Sequence, residues 1–573
     1  MRDPSPSANN SPKHFVLFSS TPILCLENLV PLGGRKLIGL VVTWAVLWSS
    51  PFLHAQGIAE PAFSPMPPSL VIEPLGLFQS RDFDLATGNC QDCRTAPEAL
   101  WYFQQEIIAI PTTLHAITTN TPLPFLIWLG SPEVLPHVRL TSQGSHVVLR
   151  NHTTIPVRLT PKIPSNRSYY NDSSTNFFLN QPLRLRGYFE QDDHTPTFVV
   201  KMIWPENFRL NLKTPPPDTT KPSLPLASQI EDQAGGARAP FSATLLWERH
   251  PGTARNWAHQ AVVGLMLNGA QGDDDEAHGG HFGLVTGRVG PDGEMANWMM
   301  NNFYDLEVES EKGIIPSMLP LDHYLMDLNS GQSYYRPSYL FIAILRQDRL
   351  AKDIQASAQH VFEELYRHDF LYHHAKANCT GLSMDILRHL GWAIPHKGPT
   401  SYLKAMGAFY YLALTERSLL AGEKIYDYLT QEQTRLFPRM AFETGAQDLL
   451  HMVQKSQGYP ERTFTPFERQ LQEDIEALVF IRIPQIPSSR AYGTYPVLTF
   501  RDYQNRVPDD RNDWETVPVS PRPFPKQFQK ASPQISARPF FTPTTMLVTT
   551  PASLIGALML YRLFLKKRAK GIL

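Results

Sequence analysis

Hydrophobic and polar positions recur with two different periods along this chain. Between about 113 and 212 the period is two. The runs 124–129, 146–150, 183–189 and 198–204 alternate or run apolar and are separated by Asn, Ser, Pro and Asp. Short strands bounded by such turn residues read as a small all-β sandwich or barrel. A short helix is expected ahead of them over 98–110. From 237 to 455 the pattern is mixed. Residues 243–247 and 281–289 have strand character, and 339–345 is a continuous apolar strand. Ile354, Ala358, Val361, Phe362 and Leu365 fall on one face of a helix spanning 351–368. A second helix follows Cys379 and a third covers 401–421, where Lys404, Glu416 and Arg417 favour a buried core helix over a membrane span. The expected fold class is α+β, with an all-β N-terminal module, a mixed α+β domain and a C-terminal membrane helix.

Proline punctuates this plan. The chain holds 51 prolines in 573 residues, about twice the usual share, and they gather between the patterned regions. A β-rich module at 60–212, a linker at 213–236, the α+β domain at 237–455 and a Pro-rich irregular segment at 456–540 follow. Within that last segment one helix is expected, over 466–478. Lys+Arg total 52 against 53 Asp+Glu, which excludes a strongly basic nucleic-acid binder.

The two ends place the chain at a membrane. Arg35 and Lys36 precede the apolar run 37–48, and small residues lead to Ala55, the pattern of a secretory signal peptide, so 1–55 reads as leader and signal. An uncleaved signal anchor is the alternative. Residues 546–565 are mostly apolar and are followed by Lys566, Lys567, Arg568 and Lys570, as in a stop-transfer helix. Pro551 and Arg562 interrupt the run, so an amphipathic tail on the membrane surface is the competing reading. A single-pass protein with an extracytoplasmic domain is expected. In such a compartment Cys90 and Cys93 would pair or bind a metal, leaving Cys379 alone after removal of Cys25.

Candidate chemistry concentrates around Cys379. Leu382, Ile386 and Leu390 recur every four residues and Gly391 suits the position just past a helix end, which predicts a helix over 380–390. Asn378 is a good N-cap, so Cys379 falls in the first turn, where backbone N–H groups and the helix dipole favour a thiolate. The same N–H groups offer donors to an oxyanion. A small apolar filler at a helix start is the bland alternative. A thiolate nucleophile needs a base, and His281, flanked by Gly279, Gly280 and Gly283 at a strand start, is the leading choice, with His278 behind it.

A histidine heading a Gly-rich strand, followed by strands and then Asn378-Cys379-Thr380 opening an amphipathic helix, resembles the circularly permuted papain-like superfamily. That group includes permuted NlpC-type amidases, lecithin:retinol acyltransferase-like enzymes and bacterial periplasmic domains. The resemblance covers roughly 240–395 and implies a papain-like α+β domain with Cys379 as nucleophile and His281 as base. It also implies a polar residue on the following strand that orients the imidazole, for which Asn297 and Asn301 are the candidates. The expected activity is hydrolysis or transfer at an amide or ester in the cell envelope, on a peptide, a peptidoglycan stem or a lipoprotein, without a cofactor. The alternative is a non-catalytic interaction protein with a β binding module and a degenerate papain-like scaffold.

A second cluster, Asp273, Asp274, Asp275, Glu276, His278 and His281, reads first as a solvated loop, then as a Ca²⁺ or Mg²⁺ loop, and least as a zinc site, because its glycines argue against a helical ligand frame. Sequons at Asn151, Asn166, Asn171 and Asn378 matter only in a glycosylating pathway, and a glycan on Asn378 would obstruct the nucleophile.

Overall fold

The computed structural model of the chain describes residues 73–87, 97–102, 106–112, 126–161, 170–191, 196–210, 226, 230, 239–251, 257–269, 280–306, 316–334, 336–399, 401–454, 462–488 and 525–528. Residues 1–55, Cys90, Cys93, Asn166, the acidic stretch Asp273 to His278 and the apolar run 546–565 lie outside them. Among the described residues no helix is long and apolar enough to cross a membrane.

The architecture is mixed α+β, built on two sheets. Strands β1 (Phe83–Thr87), β2 (Ile107–Pro111) and β3 (Ile127–Trp128) come first in the chain. Then β4 (Glu133–Leu140), β5 (His146–Val148), β6 (Thr154–Leu159), β7 (Leu183–Gln191) and β8 (Pro196–Pro205) close a barrel in the order β4-β5-β6-β8-β7. The remaining strands are β9 (Ser242–Glu248), β10 (Ala261–Asn268), β11 (His281–Arg288), β12 (Met299–Asn302), β13 (Ser317–Pro320), β14 (Ser338–Leu345) and β15 (Ile475–Ile483). They join the first three in one ten-stranded sheet, ordered β1-β2-β3-β13-β12-β11-β10-β14-β15-β9.

Ten helices are described: α1 (Pro97–Tyr102), α2 (Asp172–Phe178), α3 (Leu321–Met326), α4 (Arg349–Tyr366), α5 (Cys379–His389), α6 (Tyr402–Thr415), α7 (Leu419–Leu429), α8 (Gln433–Leu436), α9 (Pro438–Gln454) and α10 (Pro466–Asp474). The centre of the large sheet is apolar on both faces: every residue of β10 and β14 is buried. Continuous apolar strands of this kind are what a sheet covered on two sides requires. Helices α4, α5 and α9 pack against β10 and β11. Burial at Leu350, Ile354, Ala358, Phe362 and Leu365 follows the spacing that predicted α4. By itself, Lys526–Phe528 is a single 3₁₀ turn.

Four expectations change. The β-rich stretch is not one module, because β1 to β3 leave it to complete the large sheet, β3 running parallel to β13. The helix expected over 98–110 is confined to α1 and gives way to β2. The helix expected over 466–478 stops at Asp474, and Ile475–Ile483 forms β15, an interior strand between β14 and β9. The 401–421 run is not a buried core helix. Arg417, at φ 51°, breaks it into α6 and α7, which form a hairpin with an exposed apolar side.

Candidate functional site

Asn378 starts the site. Its extended backbone (φ −89°, ψ 179°) precedes α5, and its Oδ1 accepts from Gly381 N at 2.7 Å, the bond that defines an N-cap. Its Nδ2 donates to the carbonyls of His374 (2.8 Å) and Leu436 (3.2 Å). With both ends of the amide engaged, Asn378 is fixed as a brace and is not presented as a glycan acceptor. Cys379 is thereby held in the first turn of α5.

His281 is brought to it by the sheet. Gly280 has φ +76°, and a Cβ there would lie 2.9 Å from the carbonyl oxygens of both Asn268 and Gly269. Only glycine fits that turn into β11. The register then sets His281 opposite Asn268 on β10. The imidazole neighbours two phenols, its ring centroid 6.3 Å from those of both Tyr304 and Tyr324.

Cys379 and His281 meet. The sulfur lies close enough to the imidazole for the two to interact electrostatically. Burial alone would raise the thiol pKa. The neighbouring His281, the Phe282 backbone N–H and the Thr380 hydroxyl outweigh it and bring the thiol down to about 6. At neutral pH the group is therefore mostly thiolate. Both residues are nearly buried, Cys379 at 5% and His281 at 6% exposure. The Nε2 of His281 is buried without a well-formed hydrogen bond.

Neither proposed orienting asparagine serves His281. Asn297 lies in a separate ionic cluster, where its Oδ1 accepts from Arg184 at 3.0 Å and its Nδ2 donates to Glu73 at 3.1 Å. Asn301 pairs with Leu284, three positions along β11 from His281, and its Nδ2 donates to the Leu284 carbonyl at 3.1 Å. Alternation along the strand puts position 284 on the opposite face from 281. A strand's partner is chosen by register, which a single sequence does not display.

The residues that do surround the pair are aromatic. The Cys379 backbone N–H donates to Tyr372 Oη at 3.1 Å, and the Tyr372 ring lies 6.3 Å from that of Tyr304. Burial raises the Tyr372 pKa well above the usual phenol value, with the charge of Cys379 adding to it, so this hydroxyl keeps its proton. On the other side Tyr324 Oη donates to Asn268 Oδ1 at 2.5 Å, and Asn268 Nδ2 donates to Ser338 Oγ at 2.8 Å. Tyr372 stands seven residues before Cys379, and Asn268 becomes visible as a neighbour only once β10 is recognised as the strand beside β11. Among the described residues no group of three or more His, Cys, Asp or Glu is arranged to hold a metal ion.

No protein-family model, curated protein or solved structure matches this chain.

Proposed function

We propose that this chain is a membrane-anchored, extracytoplasmic cysteine hydrolase or acyltransferase acting on an amide or ester of the cell envelope. One observation carries the reading: a thiol with a pKa of about 6 at a helix start, lowered by a histidine nearly a hundred residues earlier in the chain. The Cys379 thiolate attacks the carbonyl carbon, and the C=O π electrons move onto oxygen. Collapse breaks the C–N or C–O bond, the proton held by His281 passes to the leaving amine or alcohol, and a thioester remains. Water or an acyl acceptor then gives its proton to His281, attacks the thioester and releases the thiolate.

Oxyanion stabilisation falls to the first turn of α5 and to Tyr372. In the resting site the Cys379 N–H is occupied by Tyr372 Oη. A carbonyl oxygen either displaces that phenol or receives a hydrogen bond from it. Tyr372→Phe is therefore expected to lower turnover by about 100-fold or more while changing the alkylation rate of Cys379 far less. An equal loss in both measurements would reduce Tyr372 to a structural support.

The near-burial of both residues favours a second reading, an envelope interaction protein that retains the scaffold without turnover. The two separate by mass. Incubation with activated esters and with amide substrates should give an acyl adduct on Cys379 that hydroxylamine removes and that Cys379→Ser lacks. If no substrate of either kind leaves an adduct, the non-catalytic reading stands.

A further inference from the structure

The hairpin α6–α7 exposes an apolar side that the fold does not use. Its helices meet through Phe409 and Ala413 on α6 and Gly422 and Tyr426 on α7, the Phe409 and Tyr426 ring centroids lying 6.5 Å apart. The approach is close, since a Cβ on Gly422 would lie 2.7 Å from the Phe409 carbonyl oxygen. On the outward side Leu403 is 82% exposed, Leu414 77% and Leu419 74%, with Tyr402, Leu420 and Met406 also open. At about 100° per residue Leu403, Met406, Tyr410 and Leu414 share one side of α6, and Lys404 is the helix's sole charge.

We propose that this face lies side-on against a lipid bilayer. Fourteen residues make a helix of about 21 Å, too short for a hydrocarbon core of about 30 Å, so α6 does not span. Entry tip-first would carry Glu416 and Arg417 of the turn into hydrocarbon, which is costly. Lying flat avoids both penalties: the leucines and Met406 enter the acyl boundary, while tyrosines suit the headgroup level. The chain also supplies a reason for a bilayer to be near. The apolar run 546–565, followed by four cationic residues, begins fewer than sixty residues beyond Ser488, where the large described body ends. At the base of the hairpin, Lys376 pairs with Asp427 of α7 at 2.8 Å, joining it to the segment that leads into Cys379.

The inference is independent of catalysis and is tested on the full chain, reconstituted into phosphatidylcholine vesicles brominated in the upper half of their acyl chains. Leu414→Trp adds one indole to the ten native ones, and Phe189→Trp, on barrel strand β7, adds one away from the hairpin. The extra emission of Leu414→Trp should fall about twofold or more relative to unbrominated vesicles, and that of Phe189→Trp should not. Four results would overturn the assignment: no quenching at Leu414→Trp, equal quenching at both positions, failure of the chain to float with vesicles, or protection that grows with protein concentration and not with lipid. The last would give the face to a second copy of the chain.

Discussion

Replacing His281 with alanine is expected to slow alkylation of Cys379 by iodoacetamide at pH 7 by about 100-fold. The sign follows from the forces on the sulfur. In the wild type the thiol has a pKa of about 6, so roughly nine molecules in ten carry thiolate at pH 7. Without the imidazole, the burial that opposes ionisation meets only the Phe282 N–H and the Thr380 hydroxyl, and the pKa rises above the free-cysteine value. The rate-versus-pH curve of wild-type protein should therefore have its midpoint near 6, and that of His281→Ala should move above about 8.5. The reagent must also reach a sulfur that is only 5% exposed, so both rates are referred to the same protein unfolded in urea. Superimposable curves for the two proteins would remove His281 from the mechanism. Complete protection of both would mean that the pair is sealed inside the fold.

The second large effect concerns the barrel and not the thiol. Arg184 and Arg186 on β7 are nearly buried, and both guanidiniums reach Asp322 on α3. Arg184 also pairs with Glu73 and donates to Asn297. Burial disfavours the charge on Asp322, but the two arginines win and hold its carboxyl below the usual range. Asp322→Ala would leave two buried cations short of their shared partner, so a loss of about 3–5 kcal/mol is expected by denaturant titration. Glu73→Gln removes an anion from the more open end of the cluster, where Glu73 is 39% exposed, and should cost much less. If the two variants lose similar stability, the cluster does not fasten the barrel to the sheet in this way.

The sequence made Cys379 and His281 visible for a local reason. Each lies at an element boundary with its own signature: Asn378 with the four-residue Leu382–Ile386–Leu390 spacing for one, glycines before an apolar strand for the other. Their meeting depended on long-range pairing and could be stated only as an expectation. The place of Asn301 is not legible in the sequence because it follows from the register of β11 on β12, where a one-residue shift exchanges the faces, and that of Asn297 because its ionic partners Arg184 and Glu73 are remote in the chain. β15 escaped notice because an apolar run following α10 fits a continued helix as well as a buried strand, and its partners β14 and β9 are remote. The exposed side of α6 was hidden by the reverse problem. Apolar composition implies burial on average, but it does not say against what.

The placement of β15 also constrains how the polypeptide comes off the ribosome. Among the described residues β9 pairs in the sheet only with β15, which is synthesised roughly 230 residues later. At about 5–20 residues per second, the segment Ser242–Glu248 waits on the order of ten to fifty seconds without its partner strand. During that interval its ladder groups are open to any other extended chain nearby. A truncation ending before residue 483 is therefore expected to accumulate as aggregate.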